Sequence, residues 1–218
     1  MSDAPRAAPH GELSGAQQGW HQRWPAGGLR TARLHLDRFT HADAAFLVEL
    51  LNEPAFHQHI GDRGVRTLED AHSYLEKGPL ASYAEHGIGL WRVSLQESGE
   101  TIGMCGLLRR DTLPAIDLGY AFLARHWGHG YALEAAAASL DFARRELAAN
   151  RVLAIVAPAN SASLRLLAKL GFRHAERRGL GGDGALVEVL EHVAGPEEEA
   201  PAGGDGAADR GDSGITRP

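Results

Sequence analysis

The sequence predicts a mixed α/β fold, a central twisted mixed sheet flanked by helices, in the order β-α-α-β-β-β-α-β-α-β-β. Three observations carry this. Short alternating or apolar runs recur through the middle of the chain. Two helix-length segments separate the later runs. A glycine-containing loop joins one apolar run to the longest helix, the layout of a right-handed parallel crossover.

The elements follow in order. Residues 32–39 alternate as a strand. Thr40 caps a helix with Asp43 at its third position; Phe46, Leu47, Leu50 and Leu51 follow at helical spacing. Thr67 and Asp70 repeat that start ahead of Tyr74 and Leu75. Residues 90–95 and 101–108 form a hairpin about Glu97-Ser98-Gly99-Glu100. Residues 115–123 form a third apolar strand. The loop 125–130 leads into an Ala-rich helix with Leu133, Ala137, Leu140 and Leu147 on one face. Residues 152–157 read as a buried strand. Asn160 or Ser161 caps a helix carrying Leu164, Leu167 and Ala168, and Gly171 ends it. Two last strands, 172–178 and 185–190, flank Gly179, Gly181, Gly182 and Gly184.

The ends differ from this core. Residues 1–28 lack periodicity, and residues 195–218 hold six Gly, three Pro and one Ile as their only large aliphatic residue. Neither buries enough apolar surface to offset its ordering entropy, so both are expected to be disordered tails around a single domain, 29–194. Of the net charge of −6 over 218 residues, the C-terminal tail carries −4. The charge argues against nucleic-acid binding. The single cysteine, Cys105, allows no disulfide framework and no Cys-based zinc site. With no apolar run of membrane length and no leader, the expectation is a cytoplasmic protein, monomer or homodimer, without membrane or metal partners.

The richest segment is Trp127-Gly128-His129-Gly130-Tyr131-Ala132-Leu133-Glu134. Its glycines let the backbone approach a ligand, and the first helical amides have no intrahelical partner. Together they make a cradle for a phosphate or pyrophosphate. A Walker loop needs Gly-Lys-Ser/Thr, which is absent, and a dinucleotide fingerprint needs glycine where Leu133 stands.

Four segments, in order, resemble the GNAT superfamily of N-acetyltransferases, in the branch of the ribosomal-protein N-terminal acetyltransferases RimJ and RimL. They are Leu29-Arg30-Thr31-Ala32-Arg33-Leu34-His35-Leu36, then Gly99-Glu100-Thr101-Ile102-Gly103 with Asp117-Leu118-Gly119-Tyr120, then the Trp127 to Ala135 loop, then Asn160-Ser161-Ala162-Ser163 with Lys169-Leu170-Gly171-Phe172. The resemblance implies the GNAT fold, acetyl-CoA as donor and an amine acceptor, either a peptide N-terminus or a small amine. It implies cofactor contacts from Phe122, Trp127, Gly128, His129, Gly130, Tyr131, Ala132, Asn160 and Ser163. Phe122 and Asn160 would meet the pantetheine arm, and the loop its pyrophosphate. Two registers of the loop motif put either Trp127 or Arg125 at the family's Arg/Gln position; the first starts the helix at Tyr131.

Acyl transfer to an amine needs a neutral nucleophile, an oxyanion site and a route for the thiolate to leave. An α-amine (pKa ~8) loses its proton more readily than a lysine (pKa ~10.4). The family's usual tyrosine acid falls at Leu167, so the resemblance offers Ser163 as the proton donor. Asp117, on the strand beside the cofactor, is the candidate base, directly or through water. His35, Glu53 and His57 are further candidates on the acceptor side. Glu134 reads as structural support near a helix N-terminus. The alternative, motivated by Leu167, is a noncatalytic acyl-CoA-binding sensor or interaction module on the same fold.

Overall fold

The computed structural model describes residues 19–20, 23–179 and 186–194. Gly181, Gly182, Gly184 and most of the two expected tails lie outside the described residues. The strands are β1 (Leu29–Arg30), β2 (Leu34–Asp37), β3 (Leu90–Leu95), β4 (Thr101–Leu108), β5 (Asp117–Phe122), β6 (Arg151–Val156), β7 (Arg173–Gly179) and β8 (Leu186–Val193). The helices are α1 (Ala44–Leu51), α2 (Pro54–His59), α3 (Leu68–Leu75), α4 (Ala81–His86), α5 (Tyr131–Leu147) and α6 (Ser161–Lys169). They build one eight-stranded sheet in the order β1-β2-β3-β4-β5-β6-β8-β7. Every pairing is antiparallel except β5 with β6. The mixed sheet and the parallel crossover through α5 match the expectation.

Alternation sorts the sheet's side chains into two cores. Leu34, Leu36, Trp91, Val93, Cys105 and Leu107 face α5. Met104, Ala121 and Leu123 face α1 and α3, where Leu47, Leu50, Leu51, Ala71 and Leu75 close the second core. Cys105 is fully buried, as a core residue.

Four differences from the sequence reading have physical causes. Two helices were expected between the first strands, and four occur. Pro54 starts α2 afresh because the first helical position needs no N–H. Pro79, also without an N–H, sits in a widened turn between α3 and α4. The first strand is shorter than expected, Leu34–Asp37, and a two-residue strand, Leu29–Arg30, precedes it, with Thr31 spanning the gap by bonding Leu34 in both directions. The buried face of α5 is Ala135, Ala136, Ser139, Phe142, Ala143 and Leu147, while Ala137 is exposed. Alanine is apolar on every side of such a helix, so its period alone does not fix the face. Finally, packing begins upstream of Leu29. Trp20 is buried, and Trp24 lies 4.5 Å from the ring of Trp91 and 5.6 Å from that of Phe142. Two aromatic rings outweigh the Gly- and Pro-rich average of their surroundings.

Candidate active site

The central feature is a wedge in the sheet. β5 and β6 register at a single pair, Asp117 with Leu153. Beyond it the strands part. The Leu123 N–H donates to Ile102 O on β4 (3.0 Å), so by alternation the peptide groups of Tyr120 and Phe122 face away from β4, into the wedge. One of these groups is already satisfied: the Trp127 indole N–H donates to Phe122 O (2.8 Å).

The glycine loop closes one end of the wedge. Gly128 and Gly130 both have φ of 80°, a left-handed conformation that a branched side chain resists. The helix then starts at Tyr131, in the register that puts Trp127 at the family position. Helical bonding begins when Glu134 N–H donates to Gly130 O (3.1 Å). The amides of Tyr131, Ala132 and Leu133 are left without intrahelical acceptors. A seventeen-residue helix adds its positive end to theirs. Arg125, the other register's candidate, is engaged elsewhere: its guanidinium pairs with Glu49 and with Glu100 (3.3 Å).

A strut from the first strands holds this loop. Glu134 accepts from Thr31 Oγ1 (2.5 Å), from the Arg33 backbone N–H (2.9 Å) and from Arg33 Nε (2.7 Å). Arg33 Nη1 in turn donates to His129 O (2.9 Å), and its guanidinium stands 4.6 Å over the Tyr131 ring. Burial pushes the Glu134 carboxyl up, but these hydrogen bonds and the Arg33 charge outweigh it and hold the group below its usual value. The opening Thr-x-Arg of the sequence is thus a clamp on a loop about a hundred residues away.

A cleft of about 460 Å³ runs along the wedge. It gathers Phe122, Trp127, Gly128, Gly130, Tyr131, Ala132, Asn160 and Ser163. His129 does not line it; its ring stacks on Tyr131 (5.5 Å) and its Nδ1 bonds Trp127 O (2.9 Å). Asn160 Oδ1 accepts from the Ser163 N–H (3.0 Å), capping α6 and leaving the side-chain amide free to donate. Arg165 and Lys169 add positive charge to the walls, which His126 also lines.

A second cavity, of about 150 Å³, adjoins the cleft on the far side of the wedge. Tyr120, Asn160, Ser163 and His59 line both. Asp117 lies in this second cavity, 1% exposed, with Arg110 Nε donating to both of its oxygens (2.9 and 3.1 Å). Burial pushes its carboxyl up more than Arg110 pulls it down. Asp117 and Tyr120 project to opposite faces of the sheet, so Asp117 and Ser163 share the cavity without a hydrogen bond between them.

Tyr120 was not expected as a site residue. Its hydroxyl is buried and makes no well-formed hydrogen bond among the described residues. Burial drives the phenol up to about 12, and the neighbouring Ser163 side chain tempers that rise. Strand alternation was the available signal, since it sets Tyr120 on the same face as Phe122. Of the other acceptor-side candidates, Glu53 accepts from the Ala124 N–H (3.2 Å) and lines the cleft, and His57 stands 3.8 Å from Asp62. His35 points away, bonding Gly27 O (2.7 Å). No group of three or more metal-binding side chains occurs among the described residues, and no helix there is long and apolar enough to cross a membrane.

Residues 33–173, more than half of the chain, match the acetyltransferase (GNAT) domain. The chain belongs to the GNAT acetyltransferase family. It is 32% identical to the uncharacterized protein YkkB of Bacillus subtilis over 155 residues, covering 68% of this chain and 86% of YkkB. An acetyltransferase from Agrobacterium tumefaciens has the same fold, with a TM-score of 0.64 and 26% identity over 78% of this chain and 96% of its own. A RimL ribosomal-protein α-N-acetyltransferase solved with coenzyme A is similar in fold, with a TM-score of 0.65 at 16% identity, over 75% of this chain and 95% of its own. Acetyl transfer from acetyl-CoA to an amine is this family's chemistry.

Proposed function

We propose that this protein moves an acetyl group from acetyl-CoA to a primary amine, a protein N-terminal α-amine or a small-molecule amine, by direct attack in a ternary complex. The observation that carries this reading is the wedge, with an anion cradle at one end and a separate polar cavity across a shared wall. One elongated, anionic donor and one acceptor can enter from different sides and meet at Tyr120 and Ser163.

The donor's pyrophosphate would rest on the amides of residues 130–133, with Arg165 and Lys169 nearby for its remaining phosphates. The pantetheine arm would take the place of a strand along β5. There the Phe122 N–H can donate, while its carbonyl is held by Trp127. The free amide of Asn160 would meet the same arm. His129 would contribute through its backbone alone.

In the transfer step the amine nitrogen bonds the acetyl carbon, and the carbon–sulfur bond breaks. The amine's proton passes to Asp117, directly or through water. The leaving thiolate receives a proton from Ser163, with the Tyr120 hydroxyl beside it as a further donor. The RimJ/RimL branch remains the favoured comparison, supported by the four sequence segments.

Leu167, where many relatives carry tyrosine, favours a second reading as a noncatalytic acyl-CoA sensor. Tyr120 answers it, since a phenol is still available at the shared wall. Thiol release from acetyl-CoA across a panel of peptides and small amines separates the two. Turnover with any amine supports the transferase; tight acetyl-CoA binding with no turnover supports the sensor.

A further inference from the structure

The smaller cavity holds more cationic donors than its own carboxylate occupies. Among the described residues Asp117 is its one acidic lining residue, and Arg110 reaches it through Nε alone. The two terminal nitrogens of Arg110 make no hydrogen bond among the described residues. Arg63, on the loop between α2 and α3, likewise makes neither a side-chain hydrogen bond nor an ion pair there. Its neighbour Asp62 is committed to Arg66 (2.5 Å) and to the Gly64 N–H (2.8 Å). Both guanidinium groups lie close enough to Tyr74 to pull its phenol down against the upward push of burial. That phenol also lines the cavity and has no hydrogen-bond partner among the described residues.

Two guanidinium forks and a phenol around one small cavity form a receptor for an oxyanion. We propose that the acceptor amine carries a carboxylate, held by Arg63, the terminal nitrogens of Arg110 and the Tyr74 hydroxyl, while its amine points to the wall of Tyr120 and Ser163. This inference rests on the acetyltransferase reading above. A cavity of about 150 Å³ admits a group the size of a benzene ring, which suits an amino acid or a close analogue. A polyamine would bring its second cation against Arg63 and Arg110, where like charges repel.

The test is acetyl-CoA turnover, read by thiol release. Glycine, β-alanine and glutamate are set against glycinamide, β-alaninamide and spermidine, with an acidic and a neutral tripeptide alongside. The amides have the less basic amines, so intrinsic proton loss runs against the expected result. We expect the carboxylates to exceed their amides at least tenfold in kcat/KM. Arg63→Gln is expected to bring that ratio near one through KM, with acetyl-CoA affinity unchanged by calorimetry, and Arg63→Lys to restore part of it. Turnover confined to the acidic tripeptide keeps the carboxylate and changes its source. Amides or spermidine turning over as well as the carboxylates, or an Arg63→Gln ratio equal to wild type, overturns the inference and leaves the acetyltransferase reading standing. Acetyl-CoA binding without turnover on any amine overturns both.

Discussion

The two ends of the wedge are built on opposite plans. At the loop end the recognition groups belong to the backbone, and side chains serve to hold it: Arg33 and Glu134 from outside, Trp127 from within. At the acceptor end the recognition groups are side chains, drawn from the α2–α3 loop, α3, the segment after β4, β5 and α6. Several of them make no side-chain hydrogen bond among the described residues. The contrast teaches how backbone recognition and side-chain recognition can share one fold. On the proposed reading, a co-substrate is met by peptide geometry, whereas selecting an acceptor calls for side chains that can change without disturbing the sheet.

The largest effect expected would come from the wall between the ends. Ser163→Ala and Tyr120→Phe should each lower kcat, by about a hundredfold if that side chain is the main proton donor, since positioned acids contribute on the order of 10²–10⁴. Acetyl-CoA affinity should hardly change. If one substitution is silent and the other is not, single-turnover kinetics will have assigned the donor. Equal rates for both variants and wild type would remove the wall from the chemistry.

The next effect belongs to the loop end. Gly130→Val should weaken acetyl-CoA binding tenfold or more by calorimetry. The space beside Gly130 is not the obstacle, because an added Cβ would lie 3.5 Å from Arg33 Nη2. The obstacle is φ of 80°, which valine strongly resists. Unchanged affinity would show that the cradle is not where the donor binds.

A smaller loss should follow Arg33→Ala. Its side chain is 47% exposed, so solvent weakens the ion pair with Glu134 to about 1 kcal/mol or less. The expected outcome is a several-fold loss of acetyl-CoA affinity and a slightly lower Tm. A loss as large as that of Gly130→Val would make the strut a direct ligand, breaking the distinction drawn between the ends.

What was legible in the sequence follows the same division. The glycine loop, the start of α5 at Tyr131 and the Asn160 cap are local events, dictated by residues within one turn of each other. The clamp from Arg33 to Glu134 spans a separation of 101 residues, and no local pattern announces it. The acceptor end was least legible because Arg63, Tyr74, Arg110 and Asp117 meet only after the sheet has formed. Each is an ordinary loop, helix or strand residue until that point. The sequence points to Asp117 through its strand position and the carboxylate that related enzymes often carry there; its pairing with Arg110 comes from the fold. The loss of Tyr120 from the expected set has another origin. The family's tyrosine position falls at Leu167 on a helix, whereas the buried phenol of Tyr120 stands on a strand.

The smallest predicted effect concerns the rim that carries Arg63. Hydrogen bonds from Arg66 and the Gly64 amide hold the Asp62 carboxyl at about 2, below its usual 3.8. A lowered folded pKa makes a stabilising contribution that is present above the unfolded value and lost as pH falls toward 2. Thermal melts between pH 5 and pH 2 should therefore fall less steeply for Asp62→Asn than for the wild type. If the two slopes coincide, the rim does not depend on that carboxylate.

The parting of β5 and β6 also bears on solubility. A sheet edge with unpaired peptide groups invites other chains to add to it, and proteins usually blunt or cover such edges. Here the edge is turned inward, between two strands that rejoin at Asp117 and Leu153 and beneath α5 and α6. The unpaired peptide groups of β5 thus lie inside the sheet rather than on its outer edge, where a neighbouring chain would most readily add a strand.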